Sequence, residues 1–547
     1  MRMLKQIAPA APALLFLAVF FAWPLVEIGR VSFTPGAFGR GVTPLTVLRD
    51  PAYLSVALFT LWQAALSTAL TLLAGLPIAL AFARYRFAGQ GFWRAAAVVP
   101  FVMPTVVVAA AFSALLGPRG LVNQMLQALF SLEQPPIQLF GSLPFVLLAH
   151  VFYNVAVVIR LVGGFLANLS PSLEEAAAGL GAGRWQIVRS VLLPLSLPAI
   201  GAASALVFLF SFTSFGVVLI LGGARFATLE VEIYQQATQM LRLDVAASLA
   251  VIQMAITLLV GWASAWLEAQ SGASLEVRPG SDVQRKPTTL AARALLFGSL
   301  MFIALVLLAP MITLIVRSFD WESGSPWRYY AALGQNIRGA LFFVPPQVAI
   351  GNSLFFALVT MALTLLLGLP LAYALAYLKR RRWLEAILIL PLGTSAATLG
   401  LGFLVTFDQP PLDLRRSFVL LPVAHTLVAL PFFVRAALPA FRALDQRLRE
   451  AARGLGAGPL QVMRYIDLPL LAPPIAAAAV FAFAVSLGEF GASLLIARPE
   501  YPTMPVVIYR FLSQPGALNY GQAMAMSSLL MLVTASSAAL IEWIRAR

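Results

Sequence analysis

Long runs of apolar residues, separated by shorter polar stretches, follow one another along the whole chain. A helix of about 20 apolar residues is long enough to cross the roughly 30 Å hydrocarbon layer of a bilayer. By that criterion we predict twelve spans, at residues 12–33, 55–83, 92–116, 144–166, 198–221, 245–266, 291–316, 352–378, 384–407, 418–440, 474–496 and 522–544. The predicted fold class is an all-α polytopic membrane protein.

Composition agrees with a membrane protein and excludes other classes. The 547 residues are 60% hydrophobic and 11% charged, with a mean hydropathy of +0.88, whereas about a quarter of a soluble domain is charged. The net charge of +15 is spread over short loops between apolar runs, which favours a lipid bilayer over nucleic acid as the partner. Cysteine is absent, so disulfides and thiolate metal sites are excluded.

The distribution of basic residues predicts the orientation. Twelve spans put both termini on one side of the membrane, and Lys and Arg concentrate on the cytoplasmic side of membrane proteins. Placing the N-terminus in the cytoplasm gathers Arg84, Arg86, Arg94 and the basic run 379–382 on that side, together with the basic residues at the C-terminus. We therefore expect a multi-pass protein with both termini cytoplasmic.

The chain is an internal duplication. Residues 175–183 read Glu-Ala-Ala-Ala-Gly-Leu-Gly-Ala-Gly, and residues 450–458 repeat them with one change, at an offset of 450 − 175 = 275. The same offset pairs His150 with His425 and Phe215-Gly216 with Phe490-Gly491. We predict two six-span units at 1–269 and 291–547, joined by a polar linker at 270–290 that lies in the cytoplasm.

The duplicated stretches form cytoplasmic loops, at about 170–198 and 445–473. Ser170, before Pro171, and Asp445 are suited to cap short helices, and the glycines that follow can end a helix and turn the chain. Leu193-Pro194 and Leu468-Pro469 are expected to break the helix again before the next span. Simple connections have no reason to keep Glu, Ala and Gly at fixed spacing, so the pattern favours a docking role.

This Glu-Ala-Ala…Gly…Leu-Pro pattern resembles the cytoplasmic loop of ABC-importer permeases, and the resemblance extends over essentially the whole chain. It implies a type I ABC importer permease fold and loops that form coupling helices on a partner ATPase. The residues that would carry this docking are Glu175, Ala176, Ala177, Gly181, Glu450, Ala451, Ala452 and Gly456. Asp467 departs from the repeat, since the first copy has Leu192 there.

The resemblance also implies the partners. Both permease units are fused in one chain, so the chain, in the inner membrane, would pair with two copies of an ATPase subunit and receive its cargo from an extracytoplasmic binding protein. No phosphate-cradling Gly-Lys-Ser/Thr sequence is present. The chain is therefore expected to be no enzyme and to bind no cofactor, with ATP used by the partner subunits.

Glu489 is the leading candidate for the translocation path, because it falls inside an apolar run where a charge is costly. Its counterpart in the first unit is Ser214. The alternative is a carboxylate that is hydrogen-bonded to neighbouring backbone. His150 and His425 are assigned to packing or hydrogen bonding, since two lone histidines do not form a metal-ligand set.

Cargo is left open by the sequence. The closest resemblance is to fused thiamine and ferric-iron permeases, but residues 486–491, Ser-Leu-Gly-Glu-Phe-Gly, are similar to a span of molybdate permeases. A molybdate- or sulfate-like anion and a polyamine such as spermidine or putrescine are alternative substrates. Residues 227–237 and 502–510 are interpreted as amphipathic segments on the outer rim, beside the place where a binding protein would deliver cargo.

Two other classes of function are weighed against an ATP-driven importer. An ion-coupled secondary transporter would also show twelve spans and a repeat, but it would be expected to draw on intramembrane ionisable groups, of which Glu489 is nearly the only one here. A membrane scaffold without transport would not explain two docking loops. The sequence therefore favours the importer permease.

Overall fold

Helices make up nearly all of the described structure. The computed structural model describes residues 8–34, 42–170, 172–270, 284–321, 324–335, 345–377, 382–408 and 410–546. Within those residues the sole extended pairing is a parallel bridge between Tyr85 and Arg285, so the all-α prediction is confirmed. Pro171, linker positions 271–283 and basic residues 379–381 lie outside the described residues.

The principal helices of the first half number eleven in the described segments. They are α1 (Ala8–Phe33), α2 (Pro44–Arg49), α3 (Pro51–Arg84), α4 (Gln90–Val102), α5 (Thr105–Leu116), α6 (Leu121–Phe130), α7 (Leu143–Asn168), α8 (Ser172–Gly179), α9 (Trp185–Phe212), α10 (Leu229–Thr238) and α11 (Leu243–Gln270).

The second half repeats this order. Its principal helices are α12 (Leu290–Arg317), α13 (Pro346–Tyr377), α14 (Arg382–Gly393), α15 (Ala396–Thr406), α16 (Leu420–Ala443), α17 (Gln446–Gly454), α18 (Met463–Gly488), α19 (Gly491–Ile496), α20 (Met504–Leu512) and α21 (Ala517–Ala546). Helix pairs at matched positions pack together in both halves, for example α3 on α7 and α13 on α16.

Eleven stretches of the described residues are helical, long and apolar enough to cross a membrane, against the twelve spans predicted. The ninth predicted span, 384–407, is wrong as a single helix, because α14 ends at Gly393 and α15 begins at Ala396. The third, 92–116, is interrupted in the same way between α4 and α5. At the break between α4 and α5, Pro104 lacks the N–H that a continuous helix would use. At the break between α14 and α15, the Ser395 hydroxyl caps α15 by accepting a 2.9 Å bond from the Thr398 N–H.

The predicted spans 198–221 and 474–496 are also interrupted. The helices begin earlier than expected, at Trp185 and Met463, and end at Phe212 and Gly488. Non-helical backbone follows at 213–215 and 489–490, after which a short helical turn resumes at 216–222 and in α19. Each half therefore contains two broken helices, at positions that match in the repeat.

The predicted helix breaks at Leu193-Pro194 and Leu468-Pro469 are wrong. Helix α9 passes through the first pair and α18 through the second without interruption. In each case a π-helical turn, Val188–Leu192 or Met463–Asp467, precedes the proline. The proline then lies in the first turn of the following α-helical segment, where its missing N–H costs least.

Close helix packing explains another duplicated feature, the glycines Gly75 and Gly368. A Cβ at Gly75 would lie 2.8 Å from the side chain of Val158, and a Cβ at Gly368 would collide with Phe433. Val158 and Phe433 are themselves related by the 275-residue offset. Small residues let α3 approach α7, and α13 approach α16, closely enough for backbone packing.

Helices α10 and α20 are formed by the two segments that are interpreted above as lying on the outer rim. Both begin inside the bundle, where Leu229 N–H donates to Thr60 Oγ1 at 3.0 Å and Met504 N–H donates to Ser353 Oγ at 2.8 Å. Thr60 lies about 14 Å along α3 from its first residue. The surrounding bundle therefore satisfies the first backbone donors of both helices.

Candidate coupling loops and translocation path

The two duplicated loops share one backbone turn. Ala182 N–H donates to Ala177 C=O at 3.0 Å, and Ala457 N–H donates to Ala452 C=O at the same distance. Gly181 and Gly456 have φ of +84° and +85°, the left-handed region that favours glycine. This is a Schellman ending, and it confirms the prediction that these glycines terminate a helix and turn the chain.

The starts of the two loop helices also match. Asp445 accepts a 2.9 Å bond from the Arg447 N–H, which confirms it as the N-cap of α17. In the first loop Ser170 Oγ lies 3.4 Å from the Ser172 N–H, at the beginning of α8. The same short helix is therefore held between an N-terminal oxygen and a glycine turn in both halves.

The loop surfaces project away from the bundle. Leu180 and Leu455, which are paired by the repeat, are each 90% exposed at the turn. The remaining docking candidates are exposed or half-buried in matching order: Glu175 with Glu450, Ala176 with Ala451, Ala177 with Ala452, and Gly181 with Gly456. Each loop thus presents an apolar tip on a surface of small residues.

Ion pairs hold the two loops in different ways. In the first, Glu174 pairs with Arg84 at 2.5 Å and Glu175 pairs with Arg285 of the linker at 2.6 Å. In the second, Arg449 pairs at 2.7 Å with Asp467, the residue that departs from the repeat. Asp467 therefore has a structural partner within its own loop.

Polar clusters around the two duplicated histidines hold the breaks after α9 and α18. His150 Nδ1 lies 2.9 Å from Ser67 Oγ and its Nε2 lies 2.8 Å from Ser214 Oγ. His425 Nδ1 lies 2.8 Å from Ser486 Oγ, and its Nε2 lies 2.9 Å from Ser493 Oγ. Both rings are buried with both nitrogens hydrogen-bonded, which agrees with the predicted hydrogen-bonding role.

Glu489 has the contacts expected of the alternative role, a carboxylate that is hydrogen-bonded to neighbouring backbone. Its carboxylate accepts 2.9 Å bonds from the Ala492 and Ser493 N–H groups and a 2.8 Å bond from the Ser493 hydroxyl. His425 Nε2 lies 3.4 Å away. The carboxylate therefore caps α19, while Ser214 occupies the matched break without any such cap.

The two breaks meet at the centre of the molecule. The rings of Phe215 and Phe490 stack with centroids 5.7 Å apart, and each also contacts a tyrosine, Tyr234 or Tyr509 respectively. A Cβ at Gly216 would lie 2.9 Å from the Phe490 ring. The pseudo-two-fold axis therefore passes between the two phenylalanines, and the site couples the two halves directly.

Sequence reasoning missed this central contact, although it carried a signal. The Phe-Gly pairs align as part of the repeat, but nothing in their composition indicates that the two copies contact each other. No group of three or more potential metal-ligating side chains occurs in the described part of the chain.

The chain belongs to the binding-protein-dependent transport system inner membrane component family, whose model matches residues 72–270 and 364–547. It is thus the permease subunit of an ABC importer, a multi-pass membrane protein and not itself an enzyme. The two matched segments correspond to the two copies of the repeat.

Particular relatives extend over most of the chain. A probable ABC transporter permease protein of Sinorhizobium fredii is 28% identical over 82% of this chain and 80% of its own length. The thiamine transport system permease protein of Salmonella typhimurium is 27% identical over 87% of each chain. The ferric transport system permease protein of Actinobacillus pleuropneumoniae is 24% identical over 82% of this chain and 65% of its own.

Among solved structures, a chain of a bacterial ABC transporter that imports the acidic polysaccharide alginate matches with a TM-score of 0.42. It is 18% identical, and the match covers 50% of this chain and 100% of that chain.

Proposed function

We propose that this permease carries thiamine across the inner membrane after delivery by an extracytoplasmic binding protein. The support for this cargo is the relative named as a thiamine permease, which matches over 87% of both chains. Ferric iron is the second candidate, because a ferric permease also matches, although over only 65% of its own length. Neither of these relatives supports a molybdate- or sulfate-like anion or a polyamine as the cargo.

The loops at about 170–198 and 445–473 are proposed to dock on two copies of a separate ATPase subunit. The observation that carries this proposal is the pair of identical Schellman turns with Leu180 and Leu455 exposed at their tips. Glu175, Ala176, Ala177 and Gly181 would contact one ATPase, and Glu450, Ala451, Ala452 and Gly456 the other. ATP would be bound and hydrolysed there, with no cofactor bound by the permease.

ATP-driven closure of the two ATPases would bring the loops together and rock one half, 1–269, against the other, 291–547. Both termini and the linker 270–290 would be cytoplasmic. The central contact of Phe215 with Phe490 would open and close as the halves move, because the two rings come from opposite halves. Ser214 and Glu489 would line the path at the helix breaks beside these rings.

The test is uptake of labelled thiamine and, separately, of ferric iron into cells that lack the chain and into cells complemented with it. Loss of thiamine uptake, restored by the intact chain but not by Gly456→Val, is the expected result. Loss of ferric uptake alone would identify ferric iron as the cargo in place of thiamine. If neither uptake were lost, both thiamine and ferric iron would be removed as candidates. Uptake that persists without the ATPase partner would instead favour an ion-coupled secondary transporter.

A further inference from the structure

A buried carboxyl group lies on helix α10, outside the polar clusters around the two histidines. Glu230 is the second residue of α10 and has no exposed surface. Gln253, ten residues into α11, donates its Nε2–H to Glu230 Oε1. An ionisable group at this depth is costly, so its presence calls for a function or a partner.

The partners that are present leave two acceptor oxygens unused. Glu230 Oε2 and Gln253 Oε1 are buried and accept no hydrogen bond from the described residues, nor does Glu230 form an ion pair with a described basic side chain. Ser395 lies within hydrogen-bonding reach of the carboxyl group, and in this structure its hydroxyl donates to Thr398 Oγ1 at 2.9 Å. Buried acceptors of this kind are rarely left without a donor.

The matched site in the second half shows that the fold does not need this carboxyl group. At the same offset of 275, Pro505 stands in place of Glu230 and Ser528 in place of Gln253. Helix α20 nevertheless begins with the same hydroxyl cap as α10. An acidic residue in the first turn favours a helix N-terminus, but α20 forms without one. The carboxyl group is thus an asymmetric addition to a symmetric scaffold.

The site lies on the seam between the halves. Glu230 and Gln253 belong to the first half, whereas Ser395 belongs to the second and sits at the break between α14 and α15. Tyr234, one turn further along α10, contacts Phe215, which stacks on Phe490. Movement of one half against the other would therefore uncover the two unused oxygens next to the central contact.

We propose that Glu230 and Gln253 form a binding site for a cationic nitrogen group of the cargo, covered by Ser395 when the halves are closed. The proposal rests on the import function proposed above, and it narrows the cargo to organic cations. The carboxylate supplies the charge and the amide oxygen a second acceptor, which is the set that an ammonium or an amino-substituted heterocyclic cation requires. Bare oxyanions would be repelled.

The absence of native cysteine provides a test that is independent of cargo. In membranes of the source cells, with the chain's own partners and ATP present, the variant Ser395→Cys is exposed to a cationic methanethiosulfonate (ethyltrimethylammonium) or to an anionic one (ethylsulfonate). The reaction rate of each reagent is divided by its rate with a free thiol. The normalised rate of the cationic reagent should be at least tenfold higher than that of the anionic reagent. Glu230→Gln in the same background should lower that ratio at least fivefold, and Glu232→Gln, on the same helix, should leave it unchanged.

Equal ratios with and without Glu230, or no reaction of the introduced thiol during ATP turnover, would overturn the site. Gln253→Cys is the second reporter if Ser395→Cys reduces the amount of chain in the membrane. In parallel, Glu230→Gln should reduce labelled thiamine uptake at least tenfold while Glu232→Gln stays within twofold of the intact chain. If the intact chain carries no thiamine, the cargo proposal fails alone, and the thiol ratio still decides the cation site.

Discussion

The two cytoplasmic loops are nearly identical in backbone and differ in what holds them. Both end a short helix with the same glycine turn and expose the same leucine. The first loop, however, is tied to other parts of the chain, to α3 through Arg84 and to the linker through Arg285. The second is tied to the start of its own next helix, through Arg449 and Asp467.

If the loops dock on an ATPase as proposed, this difference separates what docking requires from what the fused chain adds. The glycine turn is the same in both halves, although its surroundings differ. It is therefore the part that two copies of one partner would both recognise. The ion pairs differ because only the first loop lies near the linker, which exists once. We therefore expect changes at the shared turn to have equal and large effects in both halves, and changes at the ion pairs to have smaller and unequal ones.

The largest expected effect comes from placing valine at the shared turn. Gly181→Val and Gly456→Val each force a β-branched residue to a positive φ, which costs more than the 1–2 kcal/mol or so of an ordinary side chain. Because a Cβ at either position would meet no neighbouring atom, the strain should deform the loop and leave the bundle intact. Uptake and recovery of the ATPase with the purified permease should each fall at least tenfold in both variants.

Gly179→Ala and Gly454→Ala are the matched controls, since neither glycine has a positive φ or a crowded Cβ. Intact uptake with normal ATPase recovery in the valine variants would remove the shared turn from the docking surface. A loss in one half only would show that the two loops are not equivalent.

The next effect tests the tether of the second loop. Asp467→Leu restores the residue of the first copy and removes the Asp467 carboxylate from Arg449, whose side chain is only 13% exposed. Breaking a fully buried pair costs about 3–5 kcal/mol, and this partly exposed one should cost about half of that. The midpoint of thermal unfolding in detergent should therefore fall, and Arg449→Leu/Asp467→Leu should recover most of the loss. A double variant no better than the single one would show that Asp467 acts outside this pair.

The sequence was sufficient for the features that depend on local chemistry or on the repeat. The glycine turns and the Asp445 cap follow from residues within a few positions of one another. The long apolar runs located the membrane helices, because length and composition alone decide whether a helix can cross a bilayer.

Features set by long-range contacts could not be predicted. Apolar residues continue on both sides of Glu489, so the run is unbroken in composition, and the break is recognisable only once the carboxylate is seen capping α19. The depth of α10 depends on Thr60, 169 positions away in the chain. Likewise, nothing near Arg285 in the sequence indicates that it would reach Glu175.

A smaller effect distinguishes the two helix breaks. Glu489→Gln keeps the size of the side chain but leaves one acceptor oxygen where three donors now converge, and loss of such a cap typically costs about 1 kcal/mol. We expect uptake to fall about three- to tenfold with normal assembly, while Ser214→Ala at the matched break changes it less than twofold. A lower unfolding temperature with unchanged uptake kinetics would restrict Glu489 to its capping role.

The smallest expected effect belongs to the linker. The Arg285–Glu175 pair is more than 60% exposed on both sides, and such pairs contribute about 0.2–1 kcal/mol. The linker is also held by backbone bonds, from the Arg285 N–H to Arg84 C=O at 2.9 Å and from the Arg86 N–H to Arg285 C=O at 3.0 Å, which Arg285→Ala retains. Uptake should therefore fall less than twofold, and Lys286→Ala is the control. Arg285→Pro, which removes the Arg285 N–H donor, should have the larger effect; if instead Arg285→Ala alone abolished uptake, the ion pair itself would position the first loop.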